Sequence, residues 1–254
     1  MKRSLKLYAV LFVIDIILIA ILQAVGFSLM QTLVYIVVLE IVVYLAFVII
    51  RDLRLRYLLD EKCDPLEYLY KIQKLTKKLE HRPKSLALLS INEAVAHMLL
   101  GEYKIAKGIL SEVDQKYLSD RNGTLLVQTI DYILCCYELG ELEEANYLYD
   151  TKLPLLSPVT KRLKKSMQIL VGERYYYLGQ YEESTKHLKE LLDIELTTRQ
   201  QLGILYLLAR MELKQGQYES VAKKLKKVAK FGNRLRIAEE AKELLGQKEL
   251  EEYR

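Results

Sequence analysis

Ala94-Val95-Ala96-His97-Met98-Leu99-Leu100-Gly101-Glu102-Tyr103-Lys104-Ile105-Ala106 is the stretch on which the reading turns, because it recurs. Ile133-Leu134-Cys135-Cys136-Tyr137-Glu138-Leu139-Gly140-Glu141-Leu142-Glu143-Glu144-Ala145 follows it. Then come Gly172-Glu173-Arg174-Tyr175-Tyr176-Tyr177-Leu178-Gly179-Gln180-Tyr181-Glu182-Glu183-Ser184 and Ala209-Arg210-Met211-Glu212-Leu213-Lys214-Gln215-Gly216-Gln217-Tyr218-Glu219-Ser220-Val221. The central glycines lie at positions 101, 140, 179 and 216, spacings of 39, 39 and 37 residues. A fixed period of this size marks stacked supersecondary units. The glycine supplies the positive φ that ends a helix. The Tyr or Leu two residues later packs back into the turn. The residues seven before and five after the glycine face each other across the pair, and small side chains there allow close approach. Apolar positions continue at helical spacing beyond each turn, as in Ile109, Leu110 and Val113 or Leu188, Leu191 and Leu192.

The blocks resemble tetratricopeptide repeats, whose motif is a glycine, an aromatic two later and an alanine five later in a helix–turn–helix unit. Gly101, Tyr103 and Ala106 match it fully. Gly140 and Ala145 match with Leu142 in the aromatic position. Gly179 and Tyr181 match with Ser184 for alanine, and Gly216 and Tyr218 with Val221. The likeness covers about residues 84–230. The departures are a longer period, no Trp anywhere in the chain, and no proline at the repeat ends. Repeats are expected at about 84–115, 122–152, 159–193 and 197–230. A helix opening at Asp64-Pro65 leads into the array, and a capping helix at 234–251 hides its last open face.

The remainder of the chain has a different character. The whole chain is 254 residues long, 51% hydrophobic and 28% charged, with mean hydropathy +0.04. That mean hides two populations. Residues 7–50 carry only Asp15 and Glu40 as charged side chains. Residues 7–25 and 32–50 are each long enough to span a hydrocarbon core of ~30 Å. Gly26-Phe27-Ser28 suits a tight turn between them. Lys2, Arg3 and Lys6 precede the first span, and Arg51, Arg54 and Arg56 follow the second. The positive-inside rule then places both termini in the cytoplasm. A cleaved signal over residues 1–27 is the competing reading, because Ala24-Val25-Gly26 loosely resembles a processing site. The expected fold is therefore all-α. A transmembrane hairpin occupies residues 1–56, and a cytoplasmic tetratricopeptide-like α-solenoid with flanking capping helices occupies 57–254.

Counted from Phe27, Asp15 and Glu40 fall at nearly the same depth. An intramembrane carboxylate is a functional candidate by default. The pair could share a proton, meet a cation on another membrane subunit, or be protonated and hydrogen-bonded within the hairpin or a homodimer. Two helices are too few to build an ion pathway.

In tetratricopeptide arrays the first helix of each repeat lines a groove, and the resemblance implies which residues would do so here. Ten before the glycines stand Ile91, Ile130, Ile169 and Tyr206; three before stand Met98, Tyr137, Tyr176 and Leu213; two before stand Leu99, Glu138, Tyr177 and Lys214. Such a surface suits a protein or peptide partner presenting an apolar or amphipathic segment. The Lys and Asn that grip a terminal carboxylate in chaperone-binding members are absent at these positions. The alternative is that these residues turn into the core, or that a segment of the same chain fills the groove.

A net charge of +5 is too mild for a nucleic-acid-binding domain. The basic run Lys223, Lys224, Lys226, Lys227, Lys230, Arg234 and Arg236 reads as a solvated face, or as one that meets anionic headgroups of the bilayer. Cys63, Cys135 and Cys136 form no disulfide framework or zinc spacing, and His81, His97 and His187 show no metal spacing. Neither a P-loop nor a hydrolase or dinucleotide motif occurs, so no cofactor and no enzymatic activity are expected. The function expected is that of a scaffold or adaptor at the cell membrane. An accessory subunit assembled through Asp15 and Glu40 is the alternative.

Overall fold

The computed structural model describes Ile17, Ile19 and residues 21–253; Asp15 and most of the first expected span lie outside them. The described residues are helical, with no strand among them. They divide into two units, residues 1–54 and 55–254.

In the first unit, residues 21–24 are helical and end at Gly26, whose φ is +97°. The backbone N–H of Phe27 donates to the carbonyl of Leu22 at 3.1 Å, closing the turn. Ser28 then starts α1 (Leu29–Asp60). Its hydroxyl accepts from the N–H of Gln31 at 3.3 Å, and the Gln31 side chain accepts from the N–H of Ser28 at 3.0 Å. This reciprocal arrangement satisfies two donors that the helix cannot. α1 is the one helix among the described residues long and apolar enough to cross a membrane. Its most apolar window has a mean hydropathy of 3.0 and buries none of its surface. The expected span at 32–50 lies within α1, but the helix does not stop at residue 50. Arg51–Asp60 continues it, since Arg and Leu are good helix formers and no Gly or Pro interrupts them.

The second unit is a succession of hairpins. α2 (Pro65–Lys78) opens with Asp64 accepting from the N–H of Glu67 at 3.0 Å and Pro65 in the first turn. The pairs α3 (Pro83–Leu99) with α4 (Tyr103–Glu112), α5 (Thr124–Glu138) with α6 (Leu142–Thr151), α7 (Lys161–Tyr177) with α8 (Tyr181–Leu191), and α9 (Thr198–Lys214) with α10 (Tyr218–Phe231) follow. α11 (Arg236–Leu245) and the single turn α12 (Lys248–Glu251) close the chain. Between the pairs, short 3-10 turns take up the extra length of the first two repeats, for example at Gln115–Tyr117 and Leu153–Leu155.

The four turns are built alike. Gly101, Gly140, Gly179 and Gly216 have φ of 80°, 77°, 76° and 72°. Each glycine N–H donates to the carbonyl three residues back. The following N–H donates to the carbonyl four before the glycine: that of His97, Cys136, Tyr175 or Glu212, at 2.9, 2.9, 2.9 and 3.1 Å. Five residues after the glycines, Ala106, Ala145, Ser184 and Val221 are completely buried. Seven before them stand Ala94, Ile133, Gly172 and Ala209, all buried. The third pair is the tightest. A Cβ on Gly172 would lie 2.5 Å from Leu188 Cδ2, and the Ser184 hydroxyl donates to the Gly172 carbonyl at 2.8 Å. Ser184 in the alanine position is thus satisfied across the interface it helps to close.

The last core cluster is not purely C-terminal. Cys63 joins Leu202, Val221, Leu225, Leu235 and Leu245 in it. The N–H of Arg234 donates to the Cys63 carbonyl at 3.2 Å, and the Asn233 amide donates to the carbonyl of Lys62 at 2.9 Å. Cys63 has no exposed surface, and burial pushes its thiol up to about 11, so it is a packing residue rather than a lipid attachment point.

Two glycine substitutions separate turn strain from close packing. Gly140→Ala meets no atom and bears only the left-handed strain, an expected loss of ~1 kcal/mol. Gly172→Ala must displace Leu188 and is expected to lose ~3 kcal/mol. Chemical unfolding of the two variants measures the difference; equal losses contradict the close-approach account.

Candidate functional site

The sequence placed the candidate surface ten, three and two residues before each glycine. The structure turns most of those side chains inward. Ile91, Ile130, Tyr137, Tyr176 and Tyr206 are buried in the core clusters, and Met98, Ile169 and Leu213 are partly buried against them. Tyr137 is anchored there, its hydroxyl donating to Asn146 Oδ1 at 2.9 Å. The reason is angular. One residue along a helix is 100° of rotation, so a surface offset by a single position becomes the packed face. The residues one turn round the helix, two and six before the glycines, are the ones that converge. Tyr177 belongs to that set.

Five helices contribute to the convergence. Tyr177 (α7) donates its hydroxyl to Glu138 Oε1 (α5) at 2.6 Å, and its ring stacks on Tyr137 with centroids 5.0 Å apart and planes 1° from parallel. Tyr103 (α4) faces the same Glu138 carboxylate. The guanidinium of Arg210 (α9) lies over the rings of Tyr176 and Tyr206, at 5.3 and 5.8 Å from their centroids, a cation–π arrangement. Tyr206 donates to Glu240 Oε2 (α11) at 2.5 Å. α11 thereby returns to the first hairpin: a Cβ on Gly101 would lie 2.8 Å from Arg236 Cγ, and Glu240 adds to the burial and the Glu138 charge that raise the Tyr103 phenol.

A line of charge runs beside these tyrosines. Asp60 is nearly buried and bonds to two arginines. Its Oδ1 accepts from Arg199 at 3.0 and 3.1 Å, and its Oδ2 meets Arg162 at 2.9 Å. The fields of both arginines reach Asp131. Burial raises Asp131 to about 7 against the pull of Arg199 and Arg162. Burial likewise raises Glu173 to about 8, with Glu138 and Asp131 adding to the shift and Arg199 opposing it. Burial also raises Glu138, while its bond from Tyr177 and the charge of Arg210 pull the other way. As a residue Glu138 is exposed, so burial acts on its carboxylate rather than on the whole side chain. Asp131 and Glu173 are each half-buried as residues. Their outer oxygens, Oδ2 and Oε2, are shut off from solvent and have no hydrogen-bond partner among the described residues.

The remaining candidates are accounted for locally. His97 Nδ1 meets Glu102 at 2.5 Å, and His187 Nε2 meets the Gln168 carbonyl at 2.8 Å. Much of the basic run is paired, with Lys224 on the buried Glu212 at 2.6 Å, Lys223 on Glu219 at 2.7 Å and Arg234 on Asp64 at 3.5 Å. Among the described residues, Cys136, Glu141 and Glu144 could converge on a metal, but the Lys107 ammonium already sits on both carboxylates at 2.5 and 2.6 Å. Tyr103 shares in the convergence, while Leu142 in the second repeat stays exposed. Glu40 is an exposed carboxylate in the apolar part of α1.

Asp131, Glu173, Arg199, Arg210 and Glu240 were not among the residues singled out from the sequence. No periodic signal marks them, because they come from different repeats and different offsets. No protein-family model, curated protein or solved structure matches the chain.

Two outcomes are expected here. Arg199→Leu leaves the buried Asp60 without its main partner and is expected to lose ~3 kcal/mol. Asp60→Leu leaves two partly exposed arginines and is expected to lose ~1 kcal/mol, measured by chemical unfolding. The second outcome concerns pH. Asp131 and Glu173 keep their protons in the folded chain where the unfolded chain, with carboxylate values near 4, has released them. Their contribution to stability is full below about pH 4 and is lost as pH rises through about 7 and 8. Lowered carboxylates such as Glu144 act only at acidic pH, so the neutral window belongs to the buried pair. The melting temperature is expected to fall between about pH 6 and 8.5, and Asp131→Asn with Glu173→Gln to flatten that slope.

Proposed function

We propose that this chain is a membrane-anchored adaptor. Its apolar N-terminal part is a two-span anchor, at 7–25 and 32–50, with both termini in the cytoplasm. Residues 57–254 form a tetratricopeptide-like solenoid of four repeats whose inner face recognises a protein or peptide partner. The observation that carries this reading is the convergence of Tyr103, Glu138, Tyr177, Arg210 and Glu240 from five helices, over the buried Tyr206. Polar groups and aromatic rings gathered on one face, without the spacing of a metal or nucleophile site, suit recognition more than catalysis. Anchoring raises the local concentration of a partner at the membrane, so a modest intrinsic affinity suffices. The converging face carries more charge than the groove of aliphatic residues and tyrosines expected from the sequence, and the partner it suits is correspondingly more polar.

A second reading has an observation of its own. Glu40 stands exposed in the middle of an apolar helix, where a carboxylate calls for a partner. On that reading the chain is an accessory subunit of a membrane complex, assembled through Asp15 and Glu40 with another subunit or a second copy.

Photo-crosslinkers at Glu138 and Lys214, which are exposed on the inner face, and at Lys189 on α8 as an outer control, separate the two in intact membranes. The adaptor reading expects one partner captured from 138 and 214, absent from 189, and retained when the anchor is exchanged for an unrelated two-span hairpin. Self-links alone contradict it. Loss of the partner on Glu40→Leu with the inner face untouched favours the subunit reading.

A further inference from the structure

α10 has two unlike faces. Val221, Leu225 and Val228 are completely buried in the last core cluster. Lys223, Lys226, Lys227 and Lys230, three and four residues apart, share the opposite side of the helix and are exposed. Elsewhere in the array a lysine on a helix face meets acids, as Lys107 does with Glu141 and Glu144. Here Lys223 has only Glu219, and both side chains are largely exposed, so the pair contributes little. Among the described residues no carboxylate meets Lys226, Lys227 or Lys230. Lys227 reaches the Gln201 amide oxygen at 3.4 Å, and the Lys230 ammonium lies 5.2 Å from the centre of the Phe231 ring. Like charges at this spacing repel one another. The stripe ends on Phe231, a large apolar ring left 49% exposed although Val228, three residues earlier, is completely buried.

The end of this helix is fastened to the segment that follows α1. The Asn233 amide donates to the Lys62 carbonyl at 2.9 Å, the Arg234 N–H donates to the Cys63 carbonyl at 3.2 Å, and the Arg234 guanidinium meets Asp64 at 3.5 Å. Only the twelve residues Arg51 to Lys62 follow Ile50, where the apolar stretch ends. Even fully extended they reach ~40 Å, so a span at 32–50 holds this end of α10 within that distance of the bilayer surface.

We propose that the outer face of α10, Lys223, Lys226, Lys227 and Lys230 with Phe231, is a docking surface for the anionic phospholipid headgroups of the membrane that anchors the chain. The inference rests on the reading of residues 32–50 as a span. Four or more basic residues held beside a membrane are drawn to its negative surface potential, and an aromatic ring on the same element enters the interface at the headgroups. The anchor makes this second contact intramolecular, so weak individual attractions suffice. Nucleic acid fits less well, because one aromatic ring is too few to stack successive bases. The face engages a membrane rich in anionic lipid and is released on a neutral one.

The sequence contains no tryptophan, so Phe231→Trp places a single fluorescent reporter at the end of the stripe. The full chain with this substitution is reconstituted into vesicles of phosphatidylcholine alone or with about one-third phosphatidylserine, with and without brominated acyl chains that quench tryptophan on contact. Flotation with the phosphatidylcholine vesicles is expected and tests the anchor by itself. Docking is expected to shift the emission to the blue and to raise quenching at least about threefold when phosphatidylserine is present. Salt at about 1 M is expected to abolish that difference. Lys223→Gln, Lys226→Gln, Lys227→Gln and Lys230→Gln together are expected to abolish it as well, with the melting transition retained. Equal quenching in the two lipid mixtures, or quenching that persists in the fourfold variant, overturns the surface. Indifference to phosphatidylserine, with a single-stranded oligonucleotide bound in the same lysine-dependent way, overturns it in favour of nucleic acid. Flotation that requires phosphatidylserine supports the basic face and contradicts the anchor; flotation with phosphatidylcholine and equal quenching does the reverse.

Discussion

Each hairpin of the helical domain is fixed where its two helices come closest. Ala106, Ala145, Ser184 and Val221 have no accessible surface, and each stands in the first turns of a helix that follows a left-handed glycine. The glycine decides where the chain reverses; the small residue decides how near the returning helix can lie. At Gly172 the approach is so close that a methyl group would enter Leu188. The flat core layers follow from that distance, as does the reach of a tyrosine or glutamate from one hairpin to the next. Tyr177 can bond Glu138 across a repeat boundary only because the helices beneath them are held at this spacing.

This part of the molecule was legible in the sequence. Glycine, the residue two later and the residue five later make a local signal that repeats, and the helices begin and end close to where the pattern puts them. Asp64 and Pro65 announced the first helix of the domain by the same kind of local rule. The converging set was legible only in part. Glu138 and Tyr177 share the offset two before their glycines, but Ile91, Ile130, Tyr137, Tyr176 and Tyr206, read as surface, are packed. Longer helices with a period of 37–39 residues leave the rotation of each helix to tertiary packing, and a one-residue error costs 100°. Asp131, Glu173, Arg199 and Arg210 look in the sequence like ordinary surface charges. Only the return of α11 and of residues 58–64 encloses them.

That return gives the domain its chemical character. An open row of hairpins would leave Glu138, Glu173 and Asp131 in water, where their protons leave near pH 4. Enclosure raises all three, recruits Arg199 and Arg162 to Asp60, and brings Glu240 to Tyr206. The segment just after α1 thus takes part in the last core cluster as well as preceding the first hairpin. Electrostatics on such a face act in a poorly solvated setting, where a single charge has more effect than on an open surface.

The closure of the last helix onto the first hairpin is the claim on which this account stands. Spin labels at the exposed Lys104 and Glu239 measure it directly by double electron–electron resonance on the full chain in nanodiscs. The account predicts a single, short and narrow distance distribution that broadens in Arg199→Leu. A broad distribution centred at long distance in the unmodified sequence would show that the hairpins stand open, and would contradict it.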